Sequence, residues 1–178
     1  HGARRSCFSR GYAHTFRFVR GAERGRWRAA RGVALVAVDA ARCPGVAQFE
    51  PACVQREVTK ATVGLAAVQR AAGGTPLVRS GGAEAGVWGS EGFSGGQPVL
   101  RVLLQLLGAA HAGVRLRLRL PSDLPAKWFS GVLAEVKGAR PSAAALQALL
   151  SAEGLQRRER MAADVPAFAS YVIKSLRA

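Results

Sequence analysis

Residues 98–120 read PVLRVLLQLLGAAHAGVRLRLRL, and this stretch decides the predicted fold class. Behind Pro98, apolar residues recur at the spacing of one helix face, which predicts a helix to about residue 110. Gly113 ends that helix. From 114 to 120 apolar residues and arginines alternate strictly, as in a strand with one buried face. A helix that leads directly into such a strand indicates an α/β protein.

A second apolar run, VALVAVD at residues 33–39, favours the same class. It is continuous rather than alternating, which is typical of a strand buried on both faces. Pro51 is predicted to open a helix that runs to about Ala72, and residues 77–78 predict another short strand. The expected fold is therefore α/β (α+β), with a small mixed sheet packed with helices, a basic N-terminal arm and a helical C-terminal part.

The predicted single domain covers residues 32–178 and ends in a helical part at 124–177. Ser142 and Asp164 are expected N-caps of two of its helices. A glycine-rich stretch at 80–97 carries seven glycines but no lysine, and it lacks the GxxxxGK[ST] pattern. It is therefore predicted to be a flexible surface loop rather than a phosphate-binding loop.

The N-terminal segment, residues 1–31, contains nine arginines and a single acid, and five of the twelve aromatic residues are interleaved with these arginines. Arginine binds phosphate bidentately and aromatic rings stack on unpaired bases, so the segment is interpreted as an RNA-binding arm. Docking on a neighbouring protein is the alternative. Its arginine-rich, acid-poor composition also resembles a transit peptide, which predicts the mitochondrial matrix.

The charge of the whole chain points the same way. Lysine and arginine number 26 against 11 acids, a net charge of +15, and a polyanion is the expected partner. Compositional drift is the competing explanation, since the chain has 22 arginines but only four lysines.

Little in the sequence predicts catalysis. Asp39 lies at the end of the strand at 33–39, where α/β enzymes often carry a carboxylate, but no second acid clusters with it, so a loop cap is favoured. Cys43 and Cys53 lack the spacing of zinc ligands, and the odd count of three cysteines argues for a reducing compartment without disulfides. We expect no enzymatic activity, cofactor, metal site, small-molecule substrate or transmembrane span.

From Val33 onward, the order of elements resembles the ribosomal stalk-base family, the L-ten proteins of the large subunit. The similar features are the apolar strand ending in Asp39, the Phe93-Ser94 pair before the helix at Pro98, the charged strand at 114–120 and the helix after Ser142. The resemblance implies a ribosomal fold and rRNA as the partner.

The predicted function is therefore that of a structural constituent of a mitochondrial ribosome, bound to rRNA and to neighbouring proteins of a large assembly. The alternative is a supernumerary matrix-side subunit of a respiratory-chain or ATP synthase complex. The RNA-binding residues predicted from the arm and the strand face are Arg4, Arg5, Arg10, Arg17, Arg20, Arg24, Arg26, Arg28, Arg31, Arg115, Arg117 and Arg119.

Overall fold

The computed structural model describes residues 7–10, 17–21, 43, 45–72, 77–80, 96–118, 126–156 and 159–178. Packing of the chain divides it into two units, His1–Val33 and Ala34–Ala178. The first of these units spans the predicted arm.

Two strands make up the described part of the first unit. Strand β1, Cys7–Arg10, pairs antiparallel with β2, Arg17–Gly21, and the register shifts between Phe8 and Ser9. No strand or helix is predicted from the sequence at these residues. The aromatic and β-branched residues of both segments favour extended backbone, but runs this short carry too few residues for a periodicity to be recognised.

The second unit is built mainly from helices. It begins with a 3₁₀ helix at Gly45–Phe49. The remaining elements are α1 at Pro51–Ala72, β3 at Leu77–Ser80, α2 at Pro98–Ala112, β4 at Arg115–Leu118, α3 at Ala126–Ala139, α4 at Ala143–Leu150, α5 at Glu153–Gln156, α6 at Glu159–Ala163 and α7 at Val165–Arg177.

Several local predictions are confirmed. Helix α1 has the predicted bounds, and α2 begins at Pro98 and stops at Gly113, which adopts the left-handed conformation with φ 65°. The side chain of Ser142 caps α4, and that of Asp164 caps α7 by accepting a hydrogen bond from the backbone N–H of Ala167. These helix starts and ends depend on interactions within one helical turn, so they can be predicted without knowing the rest of the fold.

Strands β3 and β4 pair in parallel, and the helix between them, α2, provides the crossover that parallel pairing needs. Arg115 and Arg117 are exposed, whereas Leu116 and Leu118 pack against the helices. This confirms the predicted orientation of the strand as far as residue 118. Residues 119 and 120 lie outside the described part.

The predicted small mixed sheet is wrong. Within the described residues, strands form only two separate pairs, one antiparallel in the first unit and one parallel in the second. The core of the second unit is instead made by helices: α1 packs along α2, and α3 along α7. The apolar helix faces that were expected to cover a sheet pack against one another instead. The run at 33–39 was the main reason to expect a central strand, and it lies outside the described residues.

Helices α1 and α2 approach closely at Gly108. A methyl group at this position would overlap the Cβ of Ala61 and lie 3.0 Å from two backbone atoms of α1, the carbonyl carbon of Ala61 and the nitrogen of Thr62. These atoms belong to the backbone of α1, so they cannot move away from an added methyl group unless the whole helix shifts. Glycine at 108 therefore sets the distance between the two helices.

Gly108→Ala should lower the free energy of unfolding by about 1–3 kcal/mol, because the added methyl overpacks this contact. Gly138→Ala in α3 is the matched control, since open space surrounds that position. It should be neutral or stabilise by about 0.4–1 kcal/mol through the unfolded state. Urea unfolding measures both variants. Equal effects would mean that the close approach at Gly108 is not a constraint.

A disulfide joins Cys43 to Cys53, ten residues further along. It connects the residue ahead of the 3₁₀ helix to the first turn of α1. The prediction that these cysteines are unpaired is therefore wrong. The pairing depends on the chain folding back through the 3₁₀ helix, which neither the number nor the spacing of the cysteines reveals.

Candidate functional site

Five polar side chains are buried where the 3₁₀ helix, α1 and the start of α2 meet. None is more than 5% exposed. Because an interior polar group is costly unless it is paired, such a group of residues marks the candidate site. We call it the buried polar layer; its members are Gln48, Glu57, Gln97, Arg101 and Gln105.

An ion pair forms the centre of this layer. Nη1 of Arg101 donates a hydrogen bond to Oε2 of Glu57 at 2.6 Å, and the two side chains are 1% and 2% exposed. Burial lowers the pKa of Arg101, while the charge of Glu57 and the hydrogen bond to it act in the opposite direction. Removing one partner of a buried pair typically costs about 3–5 kcal/mol, so the pair also holds α1 and α2 in register.

Two glutamines connect the 3₁₀ helix to the start of α2. The backbone N–H of Gln97 donates to Oε1 of Gln48 at 2.6 Å, and Nε2 of Gln48 donates to the carbonyl of Gly45 at 2.7 Å. Oε1 of Gln97 accepts the N–H of Leu100 at 2.9 Å and thereby caps α2. Nε2 of Gln97 is buried and has no hydrogen-bond partner in the described part of the chain.

The arrangement offers a carboxylate with a fixed cationic partner in a water-poor environment. Opposite charges interact more strongly in such an environment than in solvent. Because the two side chains are already fixed in position, they need little rearrangement during a reaction. No set of His, Cys, Asp or Glu side chains within the described residues could hold a metal ion. Likewise, no helix among these residues is long and apolar enough to cross a lipid bilayer.

Glu57 and Arg101 were not among the predicted site residues, although the sequence contains a signal for them. Glu57 lies three residues after Val54 and one before Val58, on the apolar side of α1, and Arg101 lies within the apolar run of α2. Charged residues at core-facing helical positions are almost never buried without a partner. An acid and a base in such positions on two helices would have suggested the pair.

The predicted RNA-binding residues do not belong to this layer. Arg115 and Arg117 are exposed on β4, and Arg10, Arg17 and Arg20 lie in the paired strands β1 and β2. Asp39 and the other predicted arginines, at 4, 5, 24, 26, 28, 31 and 119, lie outside the described residues. So does most of the predicted loop at 80–97, but Gly96 and Gln97 at its end are buried rather than on the surface.

The chain matches the model of a known protein family. The model of the family described as "Poly (ADP-ribose) glycohydrolase (PARG), Macro domain fold" matches residues 1–122 of the 178-residue chain. The matched span contains the whole buried polar layer and ends just after β4, so α3 to α7 lie beyond it. No curated protein matches the chain significantly.

This match overturns the predicted identity and function. The resemblance to the ribosomal stalk-base family is wrong, and so are the predicted ribosomal role and rRNA as partner; the respiratory-complex alternative is not supported either. The prediction that the chain is not an enzyme and has no small-molecule substrate is also wrong, because the matched family consists of glycohydrolases. The error has a physical cause: attraction between cationic residues and phosphates does not distinguish one polyanion from another.

Proposed function

Because the chain belongs to the poly(ADP-ribose) glycohydrolase family, we propose that it hydrolyses the glycosidic bonds of poly(ADP-ribose) at the buried polar layer. The observation that carries the proposal is the position of Glu57. It is the one buried acid among the described side chains, and it lies within the span that matches the family.

Hydrolysis of a glycosidic bond passes through a transition state with positive charge on the sugar, and carboxylates stabilise it. As half of an ion pair, Glu57 is a carboxylate, suited to stabilising that charge or accepting a proton from the attacking water. Water supplies the hydroxyl group to the anomeric carbon and a proton to the departing ribose oxygen. Arg101 acts through Glu57 as a positioning residue. Since Glu57 is 2% exposed, substrate binding must displace the groups that cover it.

The start of α2 supports binding of the phosphates. The dipole of α2 favours an anion at its N-terminus. The backbone contributes little there, because Pro98 has no N–H and the N–H of Leu100 is already bonded to Gln97. The glycine-rich stretch directly precedes α2 in the sequence, and the buried Nε2 of Gln97 is a donor for which the described residues provide no acceptor. A phosphate or ribose oxygen would satisfy it.

The charge of the chain also fits this substrate. Each unit of poly(ADP-ribose) carries a pyrophosphate, so the polymer is a polyanion, and a protein of net charge +15 attracts it at long range. The arginine-rich segment at 1–31 lies within the matched span. The mitochondrial location that its composition predicts stays a prediction.

Incubation of the purified full chain with poly(ADP-ribose) tests the proposal. Chromatography should detect free ADP-ribose and shortened polymer, because cleavage of the ribose–ribose bonds releases whole units. Single-stranded RNA of similar length is the control and should stay intact, since it has phosphodiester rather than glycosidic links between its units. A polymer whose length distribution does not change would contradict the proposed activity.

A further inference from the structure

A basic surface lies on strand β4, apart from the buried polar layer. Arg115 and Arg117 are both exposed there. Residues two apart on a strand are separated by about 6.6 Å and lie on the same face. We call Arg115 and Arg117 the β4 arginine face.

The positive charge of this face is not balanced by neighbouring acids. Within the described part of the chain, neither Arg115 nor Arg117 forms an ion pair with a carboxylate. The spacing of about 6.6 Å between these residues along the strand is below the Debye length of about 8 Å at physiological ionic strength, so the two positive charges repel each other. An anion bound between them would remove that repulsion.

The face is also well anchored. Leu116 and Leu118 alternate with the arginines and pack against the hydrophobic cores formed by the helices. The backbone that carries the two guanidinium groups is therefore held in place. Binding groups carried on a rigid element lose little entropy when a ligand arrives. The guanidinium group matches phosphate because it donates two parallel hydrogen bonds to it.

We propose that the β4 arginine face binds phosphates of the poly(ADP-ribose) chain at a distance from the bond being cleaved. This inference rests on the proposed function and adds a second contact for the same substrate. The buried polar layer lies beneath the surface, whereas the arginines lie on the side of β4 opposite the leucines that face the helices. A chain of several units extends beyond the bond being cleaved, so its further phosphates can reach the arginines while one unit occupies the layer.

The test compares long poly(ADP-ribose) with the two-unit fragment as substrates. In the double variant Arg115→Gln/Arg117→Gln, KM for the long polymer should rise about tenfold, because charge-assisted hydrogen bonds are lost. Both kcat and the KM for the two-unit fragment should stay the same. The control, Lys137→Gln/Lys174→Gln, removes the same charge from exposed sites on α3 and α7 and should leave every constant unchanged.

Equilibrium binding of fluorescently labelled polymer, measured by anisotropy, keeps the test independent of turnover. One outcome is that the wild-type chain does not cleave the polymer, while the arginine variant binds long polymer about tenfold more weakly than the wild type does. In that case the assignment of the β4 arginine face is correct and the proposed activity is wrong. If cleavage occurs and the arginine variant has the KM of the wild type, the face is wrong and the activity stands. An equal loss in the lysine variant would also overturn the assignment.

Discussion

Glu57→Gln is expected to lower kcat for poly(ADP-ribose) by about 10²–10⁴-fold, the usual loss when a catalytic proton-transfer group is removed. Glutamine has nearly the same size as glutamate and retains an oxygen that can accept the hydrogen bond from Arg101. It has no negative charge, so it can neither stabilise a cationic sugar nor take a proton from water. Rates of ADP-ribose release measure kcat, and anisotropy with labelled polymer should show that binding persists.

Glu159→Gln provides the matched control for this variant. Glu159 is exposed on α6, beyond the span that matches the family, and the chemical change is the same. Its kcat should equal that of the wild type. Glu57→Gln leaves Arg101 buried without a counter-charge, so the variant should lose up to about 3–5 kcal/mol of stability, and urea unfolding should confirm that it is still folded under the assay conditions. A folded Glu57→Gln protein with wild-type kcat would remove Glu57 from the proposed mechanism and leave the ion pair a structural role alone.

Phe168→Ala is expected to destabilise the second unit by about 3–5 kcal/mol, the range for truncating a buried phenylalanine. Phe168 of α7 is fully buried, and its ring centroid lies 5.3 Å from that of Phe49 and 6.2 Å from that of Tyr171. Phe49 directly follows Gln48 of the buried polar layer. The loss should therefore also loosen the 3₁₀ helix beside the candidate site.

Val63→Ala is the control, because Val63 is 62% exposed on α1 and its truncation should change stability by less than about 0.5 kcal/mol. Urea unfolding followed by circular dichroism measures both variants. The comparison matters because Phe168 lies outside the span that matches the family, at 1–122. A change below about 1 kcal/mol for Phe168→Ala would mean that α7 is not an integral part of the core.

The extent to which the candidate site could be predicted differs from residue to residue. The exposed side of β4 follows from the alternation at 114–118, because burying unpaired arginines would be costly. A polyanion as partner was inferred from the net charge of +15, and the same charge fits the proposed substrate. The identity of that polyanion does not follow from the charge, and rRNA was the wrong choice. Catalysis was also missed, because Glu57 is a single acid in an apolar stripe and has no local motif around it.

The sequence by itself determined the local structure of this protein: the start of α2 at Pro98, its end at Gly113, the caps at Ser142 and Asp164, and the strand β4. Each of these depends on side chains within one or two turns of the chain. Only the tertiary structure decided which distant residues meet. Glu57 and Arg101 are 44 residues apart, and Gln48 and Gln97 are 49 apart. Their pairing results from helix packing, in which the close approach of α1 and α2 at Gly108 selects one alignment of the two helices among many that their periodicity allows.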